Sequence, residues 1–164
     1  MNIKFKKTLF LIIFIYVFLF IVNLSNAQIT GNCTARLSCN VSEIAVMSIS
    51  SPTNAHAALN TSYYGYKLCC PGSGFSNSCQ GNNETFLKLS SPVNAHVEKK
   101  DQNNYNYFAC INYSGISQCI YGNASCPLAY YCIAAISSDT NAHIESCEKR
   151  NYNTKVCCRA CLQN

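Results

Sequence analysis

Seven residues recur three times in this chain, as SSPTNAH (Ser50 to His56), SSPVNAH (Ser90 to His96) and SSDTNAH (Ser137 to His143). A shared S-S-x-x-N-A-H pattern at this density marks internal triplication, and units this short bury their apolar faces only against neighbours. The cysteines keep the same frame. Cys39, Cys79 and Cys126 each precede their histidine by 17 residues, while Cys69 follows by 13 and Cys110 and Cys157 by 14. The predicted units are residues 28–70, 71–114 and 115–164, each of about 40 residues.

Each unit reads as a small β module, so the expected fold class is all-β: a disulfide-stapled triple repeat. EIAVMSISS, ETFLKLSS and YYCIAAISS lead into the shared motif. Aligned, they place Ile49, Leu89 and Ile136 in one column and Met47, Leu87 and Ala134 two places earlier, the period of a strand face. Pro52 and Pro92, with Asn54, Asn94 and Asn141, supply turn chemistry. The N-A-H segment is predicted to begin a return strand, with His56, His96 and His143 opposite Ile49, Leu89 and Ile136. YKLCC, YFACI and TKVCC are predicted third strands. The units either stack in a row, the preferred arrangement because they differ in bridge number and linker length, or close into a threefold, trefoil-like assembly.

All 13 cysteines lie beyond residue 27. Ahead of them, Lys4, Lys6 and Lys7, the uncharged run Leu9 to Val22, and Ser25-Asn26-Ala27 have the order of a secretory signal peptide, residues 1–27. An uncharged run of this length is short for a bilayer of roughly 30 Å, so no stable membrane span is expected after cleavage. Export to an oxidising compartment makes a disulfide framework the natural use of so many cysteines. Comparison of the units predicts Cys39–Cys69, Cys79–Cys110 and Cys126–Cys157 as the common bridge. Units one and three carry two further cysteines each, predicting Cys33–Cys70 and Cys119–Cys158. Neighbouring cysteines on a strand face opposite ways and should serve different bridges. Cys132 and Cys147 lie symmetrically about the third turn and are predicted to pair across the strands. Cys161 is left over, either a free thiol or an intermolecular link.

Removing the leader takes three of the twelve basic residues, so the net charge falls from +5 to +2. A near-neutral chain gives no electrostatic basis for a nucleic-acid partner. Nor is a catalytic signature present: no nucleophile elbow, phosphate loop or H-E-x-x-H occurs, and no enzyme activity or cofactor is expected. The three histidines, one per unit, admit two readings. They are either structural imidazoles or ligands converging on a metal ion. The structural reading is preferred, because no carboxylate pair or second histidine accompanies any of them.

Six N-x-S/T triplets, at Asn32, Asn40, Asn60, Asn83, Asn112 and Asn123, avoid the shared motif and are candidate glycosylation sites. The loops after each histidine carry Tyr63, Tyr64 and Tyr66, then Tyr105 and Tyr107, then Tyr152, and such tyrosines suit contact with glycans or other ligands. The S-S-x-x-N-A-H element followed by V-C-C resembles repeats in predicted surface proteins of uncultivated archaea. That resemblance implies a cell-surface role and supplies no catalytic residue. The expectation from sequence is thus a secreted or cell-surface structural or adhesive glycoprotein, self-associating or joining other surface proteins, such as a subunit of a filament or surface layer. The alternatives are a soluble glycan- or ligand-binding module and a metal-binding protein using one histidine per unit.

Overall fold

A computed structural model describes residues 31–72, 79, 84–111 and 116–161 of the chain. The leader, Asn83 and the Asn112 triplet lie outside these residues, as does the side chain of Cys161, whose backbone ends the last strand. The described fold is all-β with one 3-10 turn at Cys147–Lys149. Among the described residues no helix is long and apolar enough to cross a membrane.

Three antiparallel sheets follow one another along the chain. The first comprises β1 (Thr34–Arg36), β2 (Glu43–Ile49), β3 (Ala57–Ala58) and β4 (Tyr66–Pro71), in the order β1-β4-β2-β3. The second comprises β5 (Glu84–Leu89), β6 (Val97–Glu98) and β7 (Tyr107–Ile111), in the order β6-β5-β7. In the third, β8 (Ile116–Asn123), β9 (Tyr131–Ile136), β10 (Ile144–Glu145) and β11 (Thr154–Cys161) take the order β10-β9-β11-β8. The strands anticipated on either side of the shared motif are thus present. β1 and β8 are additional strands.

The register differs by one residue from the one predicted. Ile49 faces Ala57, Leu89 faces Val97 and Ile136 faces Ile144. Each histidine therefore pairs with the first serine of its motif: the Ser50, Ser90 and Ser137 amides donate to the His56, His96 and His143 carbonyls, each at 3.0 Å. Because the side-chain period of a strand is two, this single step moves the imidazoles to the other face. The flanking Ala55 and Ala57 are completely buried, whereas His56 is half-exposed.

Each long central strand also contains one extra residue. Pairing shifts between Ala45 and Met47 in β2 and between Thr85 and Leu87 in β5. In β9, Cys132 faces Cys157 and Ala134 faces Val156, leaving Ile133 as the insertion. Bulges of this kind break the alternation of faces. They let Val46 with Met47, Phe86 with Leu87, and Ile133 with Ala134 be buried consecutively. One core gathers residues from all three sheets, with Phe86, Met47, Leu68, Leu87, Ile111 and Ile133 among its largest members.

Six disulfides staple the sheets: Cys33–Cys70, Cys39–Cys69, Cys79–Cys110, Cys119–Cys158, Cys126–Cys157 and Cys132–Cys147. Comparison of the units gives the first five of these pairs, and symmetry about the third turn gives Cys132–Cys147. Thr85 faces Cys110 as Ala45 faces Cys69, so Cys110 matches the first cysteine of each C-C pair, and buried Ile111 stands where Cys70 and Cys158 stand elsewhere. Cys147 reaches Cys132 from the 3-10 turn, because the return strand β10 stops two residues earlier. A bridge of this type stabilises a fold by roughly 2–4 kcal/mol, chiefly by restricting the unfolded chain.

The N-A-H segments join the sheets to one another. Backbone bridges link Ala55 to Ile144, Ala57 to Ala95, and Val97 to Ala142. Each segment thus meets both of the others. The stacked row preferred from sequence leaves its first and third members apart, whereas here the Ala55–Ile144 bridge joins the first sheet to the third. Three further bonds run the same way round: the amides of Leu59, Lys99 and Ser146 donate to the carbonyls of Pro92, Asp139 and Pro52.

Candidate metal centre

The shared motif builds this site residue by residue. Its first serine caps the turn, for the amides of His56, His96 and His143 donate to Oγ of Ser50, Ser90 and Ser137 at 3.0, 3.2 and 3.0 Å. The second serine closes the turn tip: Ser51 Oγ accepts from the Thr53 amide, and Ser138 Oγ donates to the Thr140 carbonyl. Asn54, Asn94 and Asn141 have φ of 46°, 50° and 48°. This left-handed conformation disfavours most side chains, and asparagine tolerates it. The alanine is fully buried at all three positions, where its backbone pairs with the neighbouring segment.

With the turns fixed in this way, the three histidines converge. Ring centroids are 4.7 Å apart for His56 and His96, 4.8 Å for His96 and His143, and 5.2 Å for His56 and His143. One ring nitrogen from each lies within 4.8 Å of the other two. Zinc–imidazole bonds of about 2.0–2.1 Å in tetrahedral geometry require nitrogens about 3.3–3.4 Å apart, so rotations of the rings by under an ångström close the difference. All three rings are half-exposed, leaving one side of the cluster open to solvent.

A second layer of side chains crosses between units. Asn94 Oδ1 accepts from His56 Nδ1 at 2.8 Å and from the Tyr64 hydroxyl at 2.8 Å. Asn54 Oδ1 contacts His143 Nδ1 and accepts from the Tyr152 hydroxyl at 2.9 Å. Asn141 Oδ1 accepts from the Tyr105 hydroxyl at 3.3 Å, while His96 Nδ1 is buried without a partner. An Nδ1–H donated to a carbonyl oxygen fixes the tautomer that leaves Nε2 with its lone pair free, the usual outer-layer arrangement around a ligating imidazole.

The tyrosines are held in turn by buried groups beneath them. Glu98, fully buried, accepts from the amides of Asn104 and Tyr105 at 3.1 and 2.8 Å and from Asn104 Nδ2 at 2.9 Å. Glu145 likewise accepts from the Tyr152 amide and Asn151 Nδ2. The first unit has Ala58 at this place, and there Ser48 Oγ accepts from the Tyr64 amide and donates to the Asn60 carbonyl. Burial, with a smaller contribution from Tyr63, raises the Tyr64 hydroxyl above the usual tyrosine range, and burial assisted by Glu145 does the same for Tyr152. Both therefore remain hydrogen-bond donors at neutral pH.

Electrostatics also favour a neutral imidazole at His143. Burial foremost, then repulsion by His96 and His56, lowers the pKa of His143 below its ordinary value of 6.5. An unprotonated ring is the form that ligates a metal.

The other predicted site residues fall elsewhere. Asn32, Asn40, Asn60 and Asn123 are exposed, as glycosylation acceptors must be. Tyr64, Tyr105 and Tyr152 point into the histidine layer, whereas Tyr63 and Tyr107 are exposed. Glu98 and Glu145 were missed from sequence. The only signal for them was a glutamate two residues after the histidine, in H-V-E and H-I-E, at the same place in two units. No protein family, curated protein or solved structure matches the chain.

Proposed function

We propose that the chain is an extracellular protein of three equivalent units closed about a pseudo-threefold axis, and that His56, His96 and His143 bind one divalent transition-metal ion on that axis. The observation carrying this reading is the convergence of the three imidazole nitrogens to within 4.8 Å, on turns whose asparagines already orient two of the rings. The three bridges between N-A-H segments support the closed arrangement over a row. Six disulfides and the absence of a spanning helix among the described residues fit an exported protein.

Three neutral imidazoles with a fourth position open suit zinc, and copper(II) binds the same donors more strongly by the general affinity order. Zinc titration of chelator-stripped, disulfide-intact protein should give one ion per chain. His96→Gln, which keeps the polar volume, should weaken binding at least a hundredfold with an unchanged circular dichroism spectrum. Absence of stoichiometric binding, or full binding by the variant, overturns the proposal.

A further inference from the structure

The asparagines of the shared motif hold their partners in one direction around the three units. Asn94, of the second unit, accepts from Tyr64 and from His56 of the first. Asn54, of the first, takes Tyr152 and His143 of the third. The same pattern assigns Tyr105 and His96 of the second unit to Asn141 of the third. Only half of that assignment is present. Asn141 Oδ1 accepts from the Tyr105 hydroxyl at 3.3 Å, longer than the 2.8 and 2.9 Å of the other two tyrosine bonds, and His96 Nδ1 is buried without a partner.

The backbone does not account for the missing bond. Asn141 has φ of 48°, between the values of Asn54 and Asn94, and the His96 amide is capped by Ser90 Oγ as its counterparts are capped. The difference lies in the ring. His96 is stacked on His143 with 29° between their planes, whereas the other two pairs are inclined at 51° and 60°. Three imidazoles aimed at one ion on a threefold axis are inclined equally, so the His96 ring has to turn before the three share one geometry. A carboxamide oxygen has two lone pairs, and on Asn141 the tyrosine takes one, leaving the other for His96. A metal on Nε2 requires the proton on Nδ1, and a buried N–H without an acceptor is costly, so the ring needs Asn141 once the ion is held.

We infer, on the metal reading proposed above, that Asn141 is the positioning residue of His96 and that their bond forms when the ion binds. His56 and His143 are presented in advance, each with Nδ1 already held by an asparagine, and His96 is the ligand that turns to close the site.

Nitrogen-15 NMR of the imidazole rings and calorimetric zinc titration of disulfide-intact protein test this order. In the metal-free parent, His56 and His143 are expected as the Nδ1–H tautomer and His96 as a mixture of both. Zinc should convert all three to Nδ1–H with Nε2 on the ion. Asn141→Gly, which suits the left-handed backbone, should leave the metal-free ring signals as in the parent and yet weaken zinc binding tenfold or more. Asn54→Gly, by contrast, should shift the metal-free His143 signals. Zinc affinity of Asn141→Gly within twofold of the parent, with an unchanged circular dichroism spectrum, overturns the role of Asn141. Zinc held through Nδ1 of His96, or a metal-free His96 already fixed as the Nδ1–H tautomer, overturns the closing movement. A folded parent that binds no zinc overturns the metal reading itself and this ordering with it.

Discussion

Asn54 joins two separable contributions, one in the backbone and one in the side chain, and two substitutions pull them apart. Its φ of 46° places it in the left-handed region, and its carboxamide oxygen holds both His143 and Tyr152. Asn54→Gly keeps the backbone conformation and deletes the acceptor. Asn54→Ala deletes the acceptor and also forces a β-carbon into the left-handed region, at about 1–2 kcal/mol. The alanine variant should therefore be about 1 kcal/mol less stable than the glycine variant, the difference being reduced because glycine also gives the unfolded chain more freedom. Outer-layer partners of ligating histidines typically contribute 10–100-fold in metal affinity, so both variants should lose zinc affinity by roughly that factor. Urea denaturation of metal-free protein measures the first quantity, and calorimetric zinc titration the second. Equal stability of the two variants would refute the backbone argument. Zinc affinity within twofold of the parent in both would refute the orienting role of the carboxamide.

The remaining predictions concern acid, the loop anchors and the bridges. His143 is lowered in the fold relative to its unfolded value, so below pH 6.5 the unfolded chain binds the proton more readily and stability falls as pH drops; above 6.5 this contribution to the slope vanishes. Urea midpoints between pH 4.5 and 8 should show that slope, and His143→Gln should flatten it. Glu145→Ala strands the Tyr152 amide, and with it Asn151, at a cost of about 1–3 kcal/mol, visible as a lower melting temperature and as loss of the Tyr152 amide's protection from hydrogen exchange. Replacing Cys132 and Cys147 with alanine opens a loop closed at a separation of 15 residues and should cost about 3 kcal/mol, read from denaturation of the otherwise oxidised protein.

Much of the fold was legible because the triplicated sequence carries its own comparison. Constant spacing identifies the three common bridges, cysteines present in units one and three and absent from unit two identify Cys33–Cys70 and Cys119–Cys158 by joint absence, and symmetry about the third turn identifies Cys132–Cys147. Strand positions followed from apolar columns in the same way. The one-residue register error arose because a capped turn of seven residues, Ser50 to His56, was read as a hairpin pairing Ile49 with His56. The position of a turn along a strand depends on hydrogen bonds such as Ser50 Oγ to the His56 amide, which hydrophobic pattern does not encode. The bulges at Val46, Phe86 and Ile133 were hidden for a related reason: an extra residue leaves no mark on composition.

The histidine cluster illustrates the division most clearly. Sequence alone determined that each unit has one histidine at an equivalent place, that the asparagine two residues before it sits in a turn, and that the chain relies on covalent staples. It could not decide between a buried structural imidazole and a ligand, because no local motif brings two histidines together. Only the pairing of the three N-A-H segments, through Ala55–Ile144, Ala57–Ala95 and Val97–Ala142, brings ring nitrogens of residues 40 and more positions apart to within 4.8 Å of one another. Likewise, Lys155 is an ordinary strand residue in sequence, and only the fold leaves its ammonium nitrogen buried without a partner. Local chemistry is written along the chain, but convergence and burial arise between units, where the decisive quantity is the distance across an interface.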